Sequence, residues 1–86
     1  MDKVWADQAW EDYLWWQAND RRILRRLNEL IRDCERDPFH GTGKPEPLRH
    51  DKRGYWSRRI TQEHRLVYKV ENGQLRIAVC RNHYAE

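Results

Sequence analysis

The chain is poor in the residues that break, cross-link or span. Four glycines, three prolines, two cysteines, one phenylalanine and one methionine are all it has of these types in 86 residues. No apolar run approaches the roughly 20 residues that a bilayer crossing needs, and the opening MDKVWADQ has no signal-type apolar stretch. A cytoplasmic protein is expected. Cys34 and Cys80 fall in apolar patterns rather than a CxxC, so reduced, packed thiols are expected in place of a disulfide or zinc site. The histidines at 40, 50, 64 and 83 form no HExxH and no regular Cys/His spacing, so neither metal nor other cofactor is expected. GTGK at 41–44 lacks the GxxxxGK[ST] pattern, with proline following Lys44, and a phosphate loop is excluded. There is no GxSxG nucleophile motif, no internal repeat and no low-complexity segment.

What the chain does have is charge and large aromatics. Charged residues make up 36% and hydrophobic ones only 38%, but five tryptophans and four tyrosines supply much buried area each. A single domain, residues 1–86, with one modest core follows from the length. Residues 1–37 carry seven basic and nine acidic side chains, a net of −2; residues 38–86 carry ten basic and five acidic, a net of +5. A basic second half suits a phosphate-rich partner, and it is equally compatible with an ordinary solvated surface.

Lys3 to Ala6 reads as an opening strand. Asp7 is placed to cap a helix whose stripe is Trp10, Tyr13, Leu14 and Gln17. Asn19-Asp20 breaks it and caps a second helix, where Ile23, Leu24, Leu27, Leu30, Ile31 and Cys34 recur at helical spacing with arginines outside. Asp37-Pro38 ends that helix. All three prolines and two glycines fall within Pro38 to Pro47, which marks a loop. A brief strand is expected at Leu48 to His50, a turn at Asp51 to Gly54, and strands at Tyr55 to Ile60, His64 to Val70 and Leu75 to Tyr84, the last two joined by an Asn72-Gly73 hairpin. The order β-α-α-β-β-β-β predicts an α+β fold, with two N-terminal helices on one face of a twisted, mainly antiparallel sheet.

With Asn72-Gly73 as the loop, Val70 faces Leu75, Tyr68 faces Ile77 and Leu66 faces Val79, forming the apolar face. Arg65, Val67, Lys69, Arg76, Ala78, Cys80, Asn82 and Tyr84 alternate onto the open face. Strict alternation sends His83 the other way, so its use there requires a bulge, a twist or a reach around the strand end.

The chemistry-bearing residues left over are Glu46, clamped between Pro45 and Pro47, Arg65 on a strand, and His83-Tyr84 at the end of the last strand. Cutting RNA without a metal needs a base for the 2′-OH, a cation for the phosphorane oxygens and an acid for the 5′-oxygen. Carboxylate, guanidinium and imidazole suit those roles, and a tyrosine stacks on a base or bonds a phosphate. Spacing leaves a second set open: a loop carboxylate, a salt-bridge arginine and a terminal aromatic patch.

Longer segments narrow the choice. W-x4-W-x2-YL-x-WQ at Trp5 to Gln17, LNELIRD at Leu27 to Asp33, GKPEPL at Gly43 to Leu48, WSRRIT-x-EHRLVY at Trp56 to Tyr68 and CRNHY at Cys80 to Tyr84 together resemble the YoeB toxins of the RelE superfamily. These are mRNA endonucleases of bacterial type II toxin–antitoxin systems, and the resemblance covers essentially the whole chain. It implies a RelE-like fold and metal-independent cleavage of mRNA in the A site of the 70S ribosome, leaving a 2′,3′-cyclic phosphate and a 5′-OH. By that likeness Glu46 would be the general base, Arg65 would stabilise the phosphate, His83 would be the general acid and Tyr84 would position substrate. Lys44, Arg49, His50, Arg58 and Arg59 would contact RNA or ribosome. A YefM-like antitoxin would wrap the toxin through an acidic segment, the complex would bind operator DNA, and a homodimer is possible. No membrane partner is implied. Two other readings stay open: a non-catalytic RNA- or ribosome-binding inhibitor of translation, and a DNA-binding co-repressor acting with its antitoxin. Ala85-Glu86 extends past the HY at which the family often ends.

Overall fold

The computed structural model describes residues 1–82. The chain enters through β1 (Asp2–Trp5), then forms α1 (Asp7–Asn19) and α2 (Arg21–Arg36). A loop leads to the two-residue β2 (Glu46–Pro47) and a 3-10 turn at His50–Lys52. The strands β3 (Trp56–Arg59), β4 (Arg65–Glu71) and β5 (Gln74–Val79) follow. The sheet order is β1-β5-β4-β3-β2. β1 runs parallel to β5, with Asp2 beside Gln74 and Trp5 beside Ile77, and every other neighbour is antiparallel. The α+β architecture expected from the sequence is therefore present.

The second helix follows its sequence signals closely. Asp20 is its N-cap and accepts hydrogen bonds from the Arg22 and Ile23 amides at 3.2 Å. Leu27, Leu30, Ile31 and Cys34 are buried, Ile23 and Leu24 pack against them, and Arg21, Arg22, Arg25 and Arg32 are exposed. The first helix differs from expectation. Ala6 is its N-cap without a side-chain bond, and Asp7 is the first helical residue, its carboxylate near the positive end of the helix dipole. Its buried stripe is Ala9, Asp12 and Trp16, with Tyr13 half-buried, whereas Leu14 and Gln17 are exposed. Ala9 is small enough for close approach to the sheet, and Asp12 faces Arg81 at 3.5 Å. Trp10 stays partly exposed, stacked on Tyr13 and edge-on to Trp5. Hydrophobic weight pointed to the wrong stripe because the buried one holds an alanine and an acid.

Both helices cover one face of the sheet. Leu66, Tyr68, Leu75 and Ile77 complete the core there, with Trp5 and Trp56 packed at its margin. Asn72 and Gly73 have φ of 53° and 72°, the doubly positive geometry of the type I′ hairpin turn. From it Glu71 pairs with Gln74, and Val70 pairs with Leu75 and Tyr68 with Ile77 as predicted. The predicted pairing of Leu66 with Val79 fails. Val67 pairs with Val79 instead, because a bulge between Val67/Tyr68 and their partners inserts Ala78. Beyond the bulge the parity of β5 reverses, so Cys80 enters the core instead of the open face. The early strand also moves: it is Glu46–Pro47, and the expected Leu48 to His50 strand is replaced by a buried Leu48 followed by the 3-10 turn. Among the described residues, no helix is long and apolar enough to cross a membrane.

Candidate active site on the open sheet face

Cross-strand register defines the site, because directly paired residues point to the same side of a sheet. Glu46 pairs with Ser57, Ser57 with Val67 and Val67 with Val79, one row across four strands. Tyr68, one residue from Val67, lies in the helix-covered core, so this row belongs to the opposite face, open in that no helix covers it, with Ser57 and Val67 themselves buried there. Two residues along, Arg59 pairs with Arg65 on that same face. Glu46 and Arg65 are thus offset by two strands, about 10 Å, and by two residues, about 7 Å. A carboxylate and a guanidinium side chain that extend toward each other can bridge that interval. Arg59 and Glu46 are exposed and Arg65 is half-buried. Among the described residues, Arg65 Nε and Nη1 and Ser57 Oγ are shielded from solvent and make no hydrogen bond. Further along the open face, Val4, Ala6, Tyr55, Arg76 and Ala78 line a cleft of about 230 Å³, and Lys69 Nζ lies 4.9 Å from the Tyr55 ring centroid.

Glu46 is delivered by a loop that the core holds from beneath. Arg58 pairs with Leu66, which places it on the helix-covered face, one residue from the exposed Arg59. Its guanidinium is fully buried. Nη1 donates to Asp33 Oδ2 at 2.7 Å and to the Thr42 carbonyl at 3.1 Å; Nη2 donates to the carbonyls of Asp37 and His40 at 2.6 and 3.0 Å; Nε donates to the Tyr68 hydroxyl at 3.0 Å. That hydroxyl donates to the Pro38 carbonyl at 2.6 Å. Asp33 also accepts from the Thr42 amide and hydroxyl, both at 2.8 Å, and from Arg36. Hydrogen bonds from Thr42, first through its side chain and then its backbone, hold the Asp33 carboxyl far below the usual carboxylate range, with Arg36 and Arg58 adding to them against the effect of burial. Arg58 was expected to contact RNA. Its burial corrects that: every donor group is engaged within the fold, and it organises residues 37–42 instead.

The loop then crosses the sheet edge under tight constraint. Gly43 has φ of 82°, and its carbonyl accepts from the Arg59 amide at 2.7 Å. A Cβ there would lie 2.9 Å from Leu30 Cδ2 and 3.1 Å from Arg58 Cβ, so only glycine fits without displacement. Lys44 follows in the left-handed region at φ 52°, where a side chain costs about 1–3 kcal/mol. His50 takes a similar conformation at φ 57°. Lys44, Arg49 and His50 are all exposed around Glu46.

The other end of the site is the segment after β5. Arg81 lies 3.7 Å over the Trp15 ring, and Trp16 Nε1 donates to the Cys80 carbonyl at 2.8 Å. The tryptophan pair of α1 therefore anchors this segment. His83 and Tyr84, the remaining residues expected at the site, lie outside the described residues. Both thiols are packed: burial pushes Cys34 up to about 11 and Cys80 up to about 12, the latter with its Sγ 3.2 Å from the Ala9 carbonyl. Among the described residues, no group of three or more His, Cys, Asp or Glu side chains is arranged to hold a metal.

Two helices on one face of a five-stranded mixed sheet, with arginines on the other, make this an α+β fold of the YoeB/RelE-like type. The family model describing a YoeB-like toxin of bacterial type II toxin–antitoxin systems matches residues 5–84. The toxin YoeB of Escherichia coli (strain K12) is 57% identical over 84 residues, covering 98% of this chain and all of that protein. A solved YoeB/ParE toxin from Agrobacterium tumefaciens superposes with a TM-score of 0.95 at 51% identity, covering 98% of this chain and 100% of its own. YoeB from Staphylococcus aureus, solved in complex with YefM and as a dimer, superposes with a TM-score of 0.91 in both. Those two are 41% and 42% identical and cover 98% of each chain. The chain belongs to the YoeB-like toxin family of bacterial type II toxin–antitoxin systems.

Proposed function

We propose that the protein is a ribosome-dependent mRNA endonuclease that inhibits translation in the cytoplasm. The observation that carries this reading is the register placing Glu46, Arg59 and Arg65 together on the open face. Glu46 takes the proton from the 2′-OH as that oxygen attacks the adjacent phosphorus. Arg65 stabilises the extra negative charge on the phosphorane oxygens, which its solvent-shielded donors are suited to do in a low-dielectric setting. His83 protonates the 5′-oxygen as its bond to phosphorus breaks, and Tyr84 positions the substrate; both roles rest on the CRNHY motif. The products are a 2′,3′-cyclic phosphate and a 5′-OH, with no metal in any step. Arg59, Lys44, Arg49 and His50 contact RNA phosphates and ribosome.

An antitoxin like YefM is the partner that restrains it, since a family relative is solved in such a complex. The toxin–antitoxin complex binds operator DNA, and a homodimer like the relative's is a further state. Primer extension on ribosome-bound mRNA tests the nuclease reading directly. Wild type should give a discrete stop in the A-site codon and Glu46→Gln should not, while both still sediment with ribosomes. Equal inhibition of translation by both, without cut mRNA, would point to the non-catalytic inhibitor.

A further inference from the structure

We propose that His64 is a positioning residue for the general-acid end of the site; this rests on the nuclease reading above. His64 Nδ1 accepts a hydrogen bond from the Asn82 amide at 2.7 Å. The next residue, Arg65, donates its own amide to the Asn82 carbonyl at 3.2 Å. Two consecutive residues at the start of β4 therefore hold both polar groups of the Asn82 backbone, at a φ of 67° that no regular strand supplies. His83 and Tyr84 follow directly in the chain. Fixing Asn82 fixes the point from which they continue, relative to the same strand that carries Arg65.

His64 is itself held firmly enough to act as an anchor. Thr61 Oγ1 accepts from the Glu63 and His64 amides, both at 3.1 Å, and the His64 carbonyl accepts from Ile60 at 3.0 Å. The imidazole meets the Trp16 ring edge-on, with centroids 4.8 Å apart. Trp16 in turn donates to the Cys80 carbonyl. An imidazole whose Nδ1 accepts from a backbone amide carries its proton on Nε2 when neutral. The bond needs an acceptor at that position, not a group that transfers protons.

That distinction sets the test. Asn and Leu are close in size and both lose the ring contact with Trp16, but only Asn retains an acceptor. Phe keeps a ring against Trp16 and lacks the acceptor. With purified ribosomes, His64→Leu and His64→Phe should lower the saturating cleavage rate on the order of 10- to 100-fold, with the half-saturating ribosome concentration unchanged. His64→Asn should restore most of that rate. In the free protein, the Asn82 amide should exchange with solvent on the order of tenfold faster in the Leu and Phe variants than in wild type or His64→Asn. Wild-type rates in both Leu and Phe, or unchanged Asn82 exchange, would overturn the proposal. So would an Asn variant as slow as Leu, since that result makes the imidazole a proton-transfer or packing group. If wild type itself cut nothing, the nuclease reading and the catalytic part of this proposal would fall together, while amide exchange would still decide whether His64 anchors Asn82.

Discussion

Arg58 donates Nη1 to Asp33 Oδ2 at 2.7 Å, with the guanidinium wholly removed from solvent. The pair joins α2 to β3 and, through the carbonyls of Asp37, His40 and Thr42, fixes the loop that ends at Glu46. Removing the guanidinium takes a buried charged partner from Asp33 and the donor from three loop carbonyls at once, which costs about 3–5 kcal/mol. Arg58→Met should lower unfolding stability in urea by that amount, whereas Arg59→Ala, one residue away and exposed, should change it by less than about 0.5 kcal/mol. Cleavage should reverse the contrast in kind: Arg59→Ala weakens ribosome-dependent cutting while leaving the fold intact.

Acid should weaken the same hub. Asp33 has a depressed folded value, so its contribution is complete above the ordinary carboxylate value of 3.8 and is lost as pH falls through the lower one. The urea midpoint should therefore be flat near neutrality and fall as pH drops below about 4. Asp33→Asn should start from a lower midpoint at neutral pH and show a shallower acid decline.

At the site itself, Glu46→Gln removes the proposed base without changing size. Loss of general-base catalysis lowers the single-turnover cleavage rate by about 10²–10⁴-fold, and the thermal midpoint should match wild type because Glu46 is exposed. Arg65→Lys should retain more activity than Arg65→Ala, since an ammonium keeps the charge but not the planar fork.

Gly43→Ala tests the delivery of that glutamate. Its Cβ would press on Leu30 and Arg58 at an unfavourable φ, so a loss of about 1–3 kcal/mol in stability is expected. The cleavage rate should fall too, although alanine adds no group that touches RNA. Gly54 also has a positive φ, 100°, but a Cβ there meets nothing within 4 Å. Gly54→Ala should therefore pay only the backbone strain and leave cleavage unchanged.

Both thiols should be silent in the native protein. Cys34 and Cys80 are fully buried, and burial raises both well above the ordinary 9.0. A thiol-disulfide exchange reagent should titrate neither at neutral pH and both in denaturant.

The sequence carries the fold wherever one local signal sets the outcome. Asp20 caps, the leucine stripe of α2 buries, and Asn72-Gly73 turns as its positive φ values require. It fails where outcome depends on a neighbour. The buried stripe of α1 includes Ala9 and Asp12, and nothing in the helix alone favours an acid there before Arg81 is brought beside it. The bulge at Ala78 has no local signature, so the predicted register holds only as far as Ile77. Arg58 and Arg59 look alike in WSRRIT, yet alternation against the pair Leu66 and Arg65 separates a buried hub from a surface cation. That signal was present in the sequence once β3 was set against β4. Glu46 was legible as a rigid carboxylate between prolines; its place on the open face needed the β2–β3 pairing.

β1 pairs with β5, so residues 2–5 find their sheet partners only when residues 74–77 exist. During synthesis the first strand waits unpaired until β5 has been made and is free to fold. Glu46 and Arg65 are made earlier, and the strand that leads to Asn82 comes after them. The β1–β5 seam, the pairing of greatest separation along the chain, is therefore the last part of the sheet that can close.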